Sequence, residues 1–147
     1  MRAGALLVLL QLLLAGCDLP KDPEETLEKV SGGELRVGVV PGNDRAAAED
    51  ARIVDALAQA LRTKPVFRHE DAHHLFHDLD EGRLDLIAGG IPSDTPFSDK
   101  AGLTRKAGPL MRPGSAQDRV LAVRAGENAF LMEVNRAIEQ AKSGADR

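Results

Sequence analysis

The sequence predicts an α/β fold, in which a doubly wound, mostly parallel β-sheet carries helices on both faces. Apolar extended runs alternate along the chain with segments of helical periodicity, and this alternation is typical of parallel strands joined by crossover helices. The third extended run, residues 84–88, is almost wholly apolar, which favours a central strand covered on both faces. With 147 residues, 43% of them apolar, the chain is long enough for one sizeable core.

Turn-forming residues separate the predicted elements. In order, these are a short helix that Ser31-Gly32-Gly33 ends, a strand at 35–40, a helix at 46–62, a strand at 65–68, a helix that Asp71 caps and Gly82 ends, a strand at 84–88, a turn-rich loop at 89–96, a weak strand near Leu103, a strand at 120–123 and a helix capped near Asn128. Each of the three longer helices carries an apolar stripe at helical spacing. The stripes are Ile53, Val54, Leu57, Ala58 and Leu61, then Ala72, Leu75, Phe76 and Leu79, then Phe130, Leu131, Val134 and Ile138.

The N-terminus has the pattern of an export signal with a lipid attachment site. The basic pair Met1-Arg2 precedes a Leu-rich run at residues 5–14 that is shorter than a typical membrane span. Leu14-Ala15-Gly16-Cys17 then matches the bacterial lipobox, so residues 1–16 are predicted to be removed and Cys17, the only cysteine, to carry the lipid. Asp18 resembles the signal that retains Gram-negative lipoproteins at the inner membrane, which predicts a lipid-anchored protein facing the periplasm.

Several stretches together resemble the family 3 bacterial extracellular solute-binding proteins, the periplasmic amino-acid-binding type. The resemblance covers residues 26–105 and 120–139, and Leu79–Gly90 carries the family's pattern of helix end, Gly, strand with Asp, and Gly. Full members have two lobes, but only fourteen residues separate Arg105 from Val120. The resemblance therefore implies one lobe of a type II periplasmic binding protein at residues 34–142, with the second lobe absent between 105 and 120, a tether at 17–33 and a tail at 143–147.

Ligands of open α/β sheets bind at the carboxyl ends of strands where the winding reverses. The strand order that the resemblance implies puts this point between the first and third strands, so the predicted ligand site lies where these two strands end. Glycine amides can approach a ligand closely there, and hydroxyl groups add hydrogen bonds. The candidate ligand-binding residues are Asn43, Gly89, Gly90, Ser93, Thr95 and Lys100. The resemblance implies that this loop and a following Arg hold an amino acid's carboxylate. Here Ser98 or Lys100 takes the place of that Arg, Pro92 lacks an N–H, and Asn43-Asp44-Arg45 replaces the family's aromatic residues. A simple connecting loop is the alternative interpretation.

Histidines form the other cluster of candidate ligands. His69, His73, His74 and His77 lie close in sequence, and His73 and His77 would share one helical face, as two metal ligands should. That face points away from the apolar stripe, and neither an HExxH motif nor an obvious third ligand occurs. We therefore expect solvent-exposed histidines, no metal and no cofactor.

Other classes of function find little support in the sequence. The net charge is −4 without a basic patch, and Trp and Tyr are absent, which argues against a nucleic-acid partner or an aromatic cage. No nucleophile motif or P-loop occurs, so an enzyme is not expected. We expect a protein that binds a small polar solute, an amino acid or similar carboxylate, for transport or sensing, with an ABC-transporter permease or another envelope protein as partner. The alternative is a degenerate lobe that serves as an envelope interaction module and binds no solute.

Overall fold

The computed structural model describes residues 20–145; the predicted signal peptide, Cys17 and Asp18 lie outside them. From residue 26 to residue 92 helices and strands alternate as the sequence predicts, and three further strands then precede the last helix. The helices and strands are α1 (Thr26–Val30), β1 (Glu34–Val39), α2 (Asp44–Leu61), β2 (Lys64–His69), α3 (Ala72–Asp80), β3 (Leu86–Pro92), β4 (Ala101–Leu103), β5 (Gly108–Arg112), β6 (Ser115–Arg124) and α4 (Asn128–Ala145). No helix in these residues is both long enough and apolar enough to cross a membrane.

The strands form one sheet in the order β2-β1-β3-β6-β4, and β5 pairs with the first half of β6. β1 is parallel to β2 and to β3, whereas β6 is antiparallel to β3, β4 and β5. Among the described strands β6 alone therefore runs against the others. The predicted α/β fold with a mostly parallel sheet is confirmed.

Two apolar layers cover the two faces of the sheet. On one face α2 and α4 pack over residues that include Leu35, Val37 and Leu86. On the other face α3 packs over residues that include Ile87 and Val120. Leu86 and Ile87 are consecutive, point to opposite faces and are both fully buried. The prediction that the third strand is central and covered on both sides is confirmed.

Two carboxylates tie the start of the described chain to α4. Asp22 Oδ1 accepts hydrogen bonds from the Ala129 and Phe130 amides at 2.7 and 3.0 Å, which satisfies N–H groups that α4 leaves free. In the other direction, buried Glu127 accepts from the Glu24 and Thr26 amides at 2.9 and 3.0 Å. The segment that leads into α1 is thereby fixed at the edge of the sheet where β1 and β3 begin, which we call the amino edge.

Two stretches differ from the sequence-based expectation. β3 extends to Pro92, so Gly89 and Gly90 belong to the strand and the turns begin at Ser93. Residues 108–124, of which only 120–123 were predicted to be extended, form the β5–β6 hairpin. β5 contains a glycine and a proline and is held by its pairing with β6, a tertiary contact that local sequence preference does not reveal.

Candidate functional site

β1 and β3 end at the same edge of the sheet, which we call the carboxyl edge, because they are parallel neighbours. Asn43 follows β1 there and caps α2, its side-chain oxygen accepting from the Ala46 amide at 3.0 Å. This is the usual role of Asn at the start of a helix. Asn43 is half-buried, and its NH₂ group donates no hydrogen bond within residues 20–145.

Gly89 and Gly90 form a bulge in β3. Between Ile87 and Ile91 the strand gains residues relative to β6, and the two glycines adopt φ values of +102° and +93°. Side chains rarely adopt such angles. Both amides donate to one oxygen of Asp50, at 2.8 and 3.2 Å. These N–H groups, predicted to meet a ligand, are thus engaged by a carboxylate of the protein itself.

Asp50 belongs to a buried ion-pair cluster. Its second carboxylate oxygen accepts from Arg119 Nε at 2.8 Å, and the side chains of Asp50 and Arg119 are 0% and 3% exposed. Arg119 also donates to Glu49 at 2.5 Å, and Arg45 holds the other oxygen of Glu49 at 3.0 Å. The cluster links α2, the β3 bulge and β6.

Burial and pairing act differently on the two acids. Burial raises the pKa of the Asp50 carboxyl above its ordinary value, although Arg119 and the two glycine amides oppose the rise. The hydrogen bond from Arg119 holds the pKa of the half-buried Glu49 below its ordinary value, and Arg45 adds to that effect. Glu49 is therefore ionised at neutral pH.

A small cleft of about 70 Å³ opens beside this cluster at the carboxyl edge. It lies between the first turns of α2 and strand β5, and Gly90 packs beneath it, since a Cβ there would stand 3.6 Å from Asn43 Cβ and 3.3 Å from Leu110. The structure thus brings together two of the predicted site residues, Asn43 and Gly90. The cleft is lined by Asn43, Arg45, Ala46, Glu49, Pro109, Leu110, Met111 and Arg119.

Ser93 and Thr95 occupy the turns that follow β3. Ser93 is exposed at the carboxyl edge, and its hydroxyl makes no hydrogen bond within the described residues. Thr95 is 4% exposed, and its hydroxyl accepts from the Phe97 amide at 3.5 Å, so it supports the turn. Of these two predicted residues, Ser93 has the side chain that a solute can reach.

Lys100 lies at the other end of the sheet. It directly precedes β4, whose first residue, Ala101, pairs with Arg124 at the amino edge. Arg124 lies five positions along β6 from Arg119, which pairs with Pro92 at the carboxyl edge, so the two levels are about 17 Å apart. The structure therefore does not bring Lys100 together with the other predicted site residues, because residues 93–100 cross the α3 face from one edge of the sheet to the other.

His73 and His77 are exposed on α3, as the helical periodicity predicts, and His74 and His69, the last residue of β2, are exposed as well. Asp71 caps α3 through the His74 amide and forms an ion pair with the His74 ring. This contact raises the pKa of His74 and lowers that of Asp71. Between residues 20 and 145 no three His, Cys, Asp or Glu side chains are grouped so that they could hold a metal ion.

Neither Asp50 nor Arg119 was recognised as a functional residue from the sequence. One signal was available, because Asp50 lies on the same face of α2 as Ile53, Val54 and Leu57 and interrupts an otherwise apolar surface. A buried carboxylate needs a partner. The sequence therefore indicates that a cation lies near Asp50, but it does not identify that cation as Arg119, which is 69 residues away.

Comparisons with known proteins identify the fold. No protein-family model matches the sequence, and no curated protein matches it either. Solved structures do match. Arginine-bound domain 1 from TmArgBP (T. maritima) is 16% identical, with a TM-score of 0.64 over 77% of this chain and 97% of that one. A Streptococcus pneumoniae amino acid ABC transporter substrate-binding protein bound to L-arginine is 10% identical, with a TM-score of 0.68 over 82% and 93%.

A third match is the ancestral amino acid-binding protein AncCDT-1, described as a precursor of cyclohexadienyl dehydratase. It is 13% identical, with a TM-score of 0.69 over 83% of this chain and 95% of that one. The matched structures are thus mainly binding proteins. Identities this low show the fold alone: the described chain has the mixed α/β fold of one lobe of a periplasmic amino-acid-binding protein.

Proposed function

We propose that this protein is a single-lobe, lipid-anchored periplasmic protein that binds an amino acid or a similar small carboxylate at the carboxyl edge of its sheet. The supporting observation is the fold likeness to domain 1 from TmArgBP, a separate lobe whose structure is the arginine-bound form. A lobe of this fold can therefore hold an amino acid without a second lobe closing over it.

The carboxyl edge offers groups of the kind that such a solute needs. The Asn43 NH₂ and the Ser93 hydroxyl can donate to a carboxylate. Arg45, whose side chain is 80% exposed, lies in the first turn of α2 and lines the same cleft. Gly89 and Gly90 act indirectly in this proposal, since their amides hold Asp50 and so fix the shape of the strand beneath Asn43.

The anchor would leave this edge free. Cys17 precedes Asp22 by five residues, a reach of at most about 17 Å, and Asp22 is bonded to the start of α4 at the amino edge. A lipid on Cys17 would therefore hold the amino edge near the membrane. The carboxyl edge would then face the periplasm, where it could receive a solute or meet a permease.

Solute binding can be tested with the soluble form, residues 20–147, and a panel of amino acids and carboxylates. A solute present at 100 times its Kd adds about 2.7 kcal/mol to the free energy of unfolding, which a thermal-shift assay detects. The double variant Asn43→Ser with Ser93→Ala should reduce the shift, while the hydroxyl introduced by Asn43→Ser preserves the helix cap. The matched variant Ser31→Ala with Asn135→Ser, away from the cleft, should keep the shift. No shift with any solute in the panel would refute solute binding.

The anchor can be tested separately by expressing Cys17→Ser in full-length form. We expect this variant to leave the membrane fraction or to accumulate as uncleaved precursor, whereas Ser31→Ala should remain membrane-bound with the mature, lipidated mass. Unchanged membrane partition and mass in Cys17→Ser would refute lipidation.

A further inference from the structure

A second and larger cleft, of about 230 Å³, lies between α2 and α4. It shares the Glu49–Arg119 ion pair with the small cleft beside Asn43, so this pair forms the wall between the two cavities. Its volume is below the usual range for drug-sized ligands, which suits a small solute.

The free charge in this cleft is positive. Arg52 lines it, is exposed, and has no ion-pair partner within residues 20–145. Lys142 faces Arg52 from α4, and its ammonium group donates to the Lys106 carbonyl at 2.8 Å and lies 3.4 Å from Glu139. The one acid in the lining, Glu49, has both oxygens bonded to arginines, which compensates its charge.

The remaining surface of the cleft is apolar. Ile53 and Ile138 lie at the back, where each is almost fully buried, and half-buried Ala141 lies nearer the opening. The cations on the rim and the aliphatic floor are thus within one cavity. A carboxylate held by Arg52 and Lys142 would place its attached carbon chain against Ile53 and Ile138.

We propose that the α2–α4 cleft is a second binding site, distinct from the carboxyl edge, for a small carboxylate with an aliphatic body. The guanidinium of Arg52 binds the carboxylate and Lys142 contributes a second, weaker contact, because Lys142 is already shared with Lys106 and Glu139. A free amino acid fits less well, since its ammonium group would lie beside these two cations, and the described lining residues include no unpaired acid to meet it.

A series of five-carbon probes tests this chemistry on residues 20–147. Pentanoate, pentanamide, pentylamine and norvaline each have one unbranched chain of five carbons and differ in the charged groups that it carries. In an amide-resolved NMR titration, pentanoate should shift the amides of Ala107 and Ala141, which line the cleft, and bind at least tenfold tighter than the other three. From acetate to pentanoate each added methylene should tighten binding, by up to about fourfold.

Variants assign the site to named side chains. Arg52→Gln should weaken pentanoate binding tenfold or more, Arg52→Lys should retain part of it, and Arg62→Gln, at the other end of α2, should change nothing. Ala141→Leu should block the cleft, whereas Ala60→Leu on the exposed side of α2 should not.

The outcomes separate this site from the proposed solute site. Equal binding of pentanoate and pentanamide, or unchanged binding in Arg52→Gln, would overturn the proposal, and so would the absence of any shift. Pentanoate-induced shifts confined to the amides of Gly42 and Ser93 would also overturn the proposed α2–α4 site, and they would support the carboxyl-edge site instead. Conversely, pentanoate can be added to the double variant Asn43→Ser with Ser93→Ala. If it still shifts the Ala107 and Ala141 amides, the second site is supported even when no amino acid binds at the carboxyl edge.

Discussion

Asp50 and Arg119 form a buried ion pair that joins helix α2 to strand β6, with Asp50 Oδ1 2.8 Å from Arg119 Nε. The other oxygen of Asp50 receives the amides of Gly89 and Gly90. A carboxylate held by two glycine amides and an arginine is an arrangement that can also bind a ligand's carboxylate. Here the chain itself supplies the carboxylate, which leaves the neighbouring clefts as the places where a solute can bind.

Arg119→Met should lower the free energy of unfolding by about 3–5 kcal/mol, because it leaves the buried Asp50 without its cation. Equilibrium urea unfolding at neutral pH measures this loss. Arg105→Met, at an exposed arginine whose side chain forms no ion pair in the described residues, should stay within about 0.5 kcal/mol of the wild type. The double variant Asp50→Asn with Arg119→Met should be more stable than Arg119→Met alone, because it removes the unpaired buried charge. Equal stability of Arg119→Met and Arg105→Met would contradict this account.

Gly89→Ala should be more damaging than Gly42→Ala, although the two glycines have nearly the same φ, +102° and +101°. A Cβ at Gly42 meets nothing within 4 Å, whereas one at Gly89 would lie 2.6 Å from the Val40 carbonyl oxygen. Both variants bear backbone strain of about 1–3 kcal/mol. Gly89→Ala should lose about 1–3 kcal/mol more through overpacking. Equal urea midpoints for Gly89→Ala and Gly42→Ala would contradict this expectation, because β3 would then move away from β1 without a loss in the free energy of unfolding.

Much of the fold follows from local patterns in the sequence. The helical stripes identified α2, α3 and α4, and Asp71 caps α3 as predicted. The apolar run 84–88 marked the central strand because burial on both faces removes the alternation of polar and apolar residues. These features depend on a few adjacent turns or strands and are therefore visible in the sequence.

The candidate site depends on contacts between distant segments and was only partly predictable. Asn43 and Ser93 lie at the carboxyl edge because strand ends place them there. The capture of the Gly89 and Gly90 amides by Asp50 joins residues 39 and 40 positions apart, and no local pattern encodes it. The crossing of residues 93–100, which carries Lys100 to the amino edge, depends on where β4 pairs.

Leu86→Ala should cost about 2–5 kcal/mol, because Leu86 is fully buried in the central strand and its truncation leaves a cavity. His77→Ala, on the exposed face of α3, should change stability by no more than about 0.5 kcal/mol. Thermal and urea unfolding of the two variants, with and without zinc, makes the comparison. A larger loss of stability in His77→Ala than in Leu86→Ala, together with stabilisation of the wild type by zinc, would contradict both the buried position of Leu86 and the exposed, metal-free position of His77.

Glu127→Gln should destabilise the protein in a pH-dependent way. Burial of Glu127 acts to raise its pKa, but hydrogen bonds from Thr26 and Glu24, with Arg124 nearby, outweigh it and lower the pKa below the ordinary value of 4.5. The stability that this carboxylate provides is therefore present above about pH 4.5 and is lost as the pH falls through its lower native pKa. Gln has one acceptor oxygen for the two amides of Glu24 and Thr26, so at pH 7 the variant should lose about 1–3 kcal/mol.

The pH dependence distinguishes a stabilising carboxylate from simple packing at this position. In urea unfolding between pH 7 and pH 3, the difference between wild type and Glu127→Gln should narrow below about pH 4.5, because protonation removes the advantage of the native carboxylate. Glu139→Gln, at an exposed position on α4, should follow the wild type throughout. A difference that stays constant down to pH 3 would mean that the ionised form of Glu127 does not hold the N-terminal segment against α4.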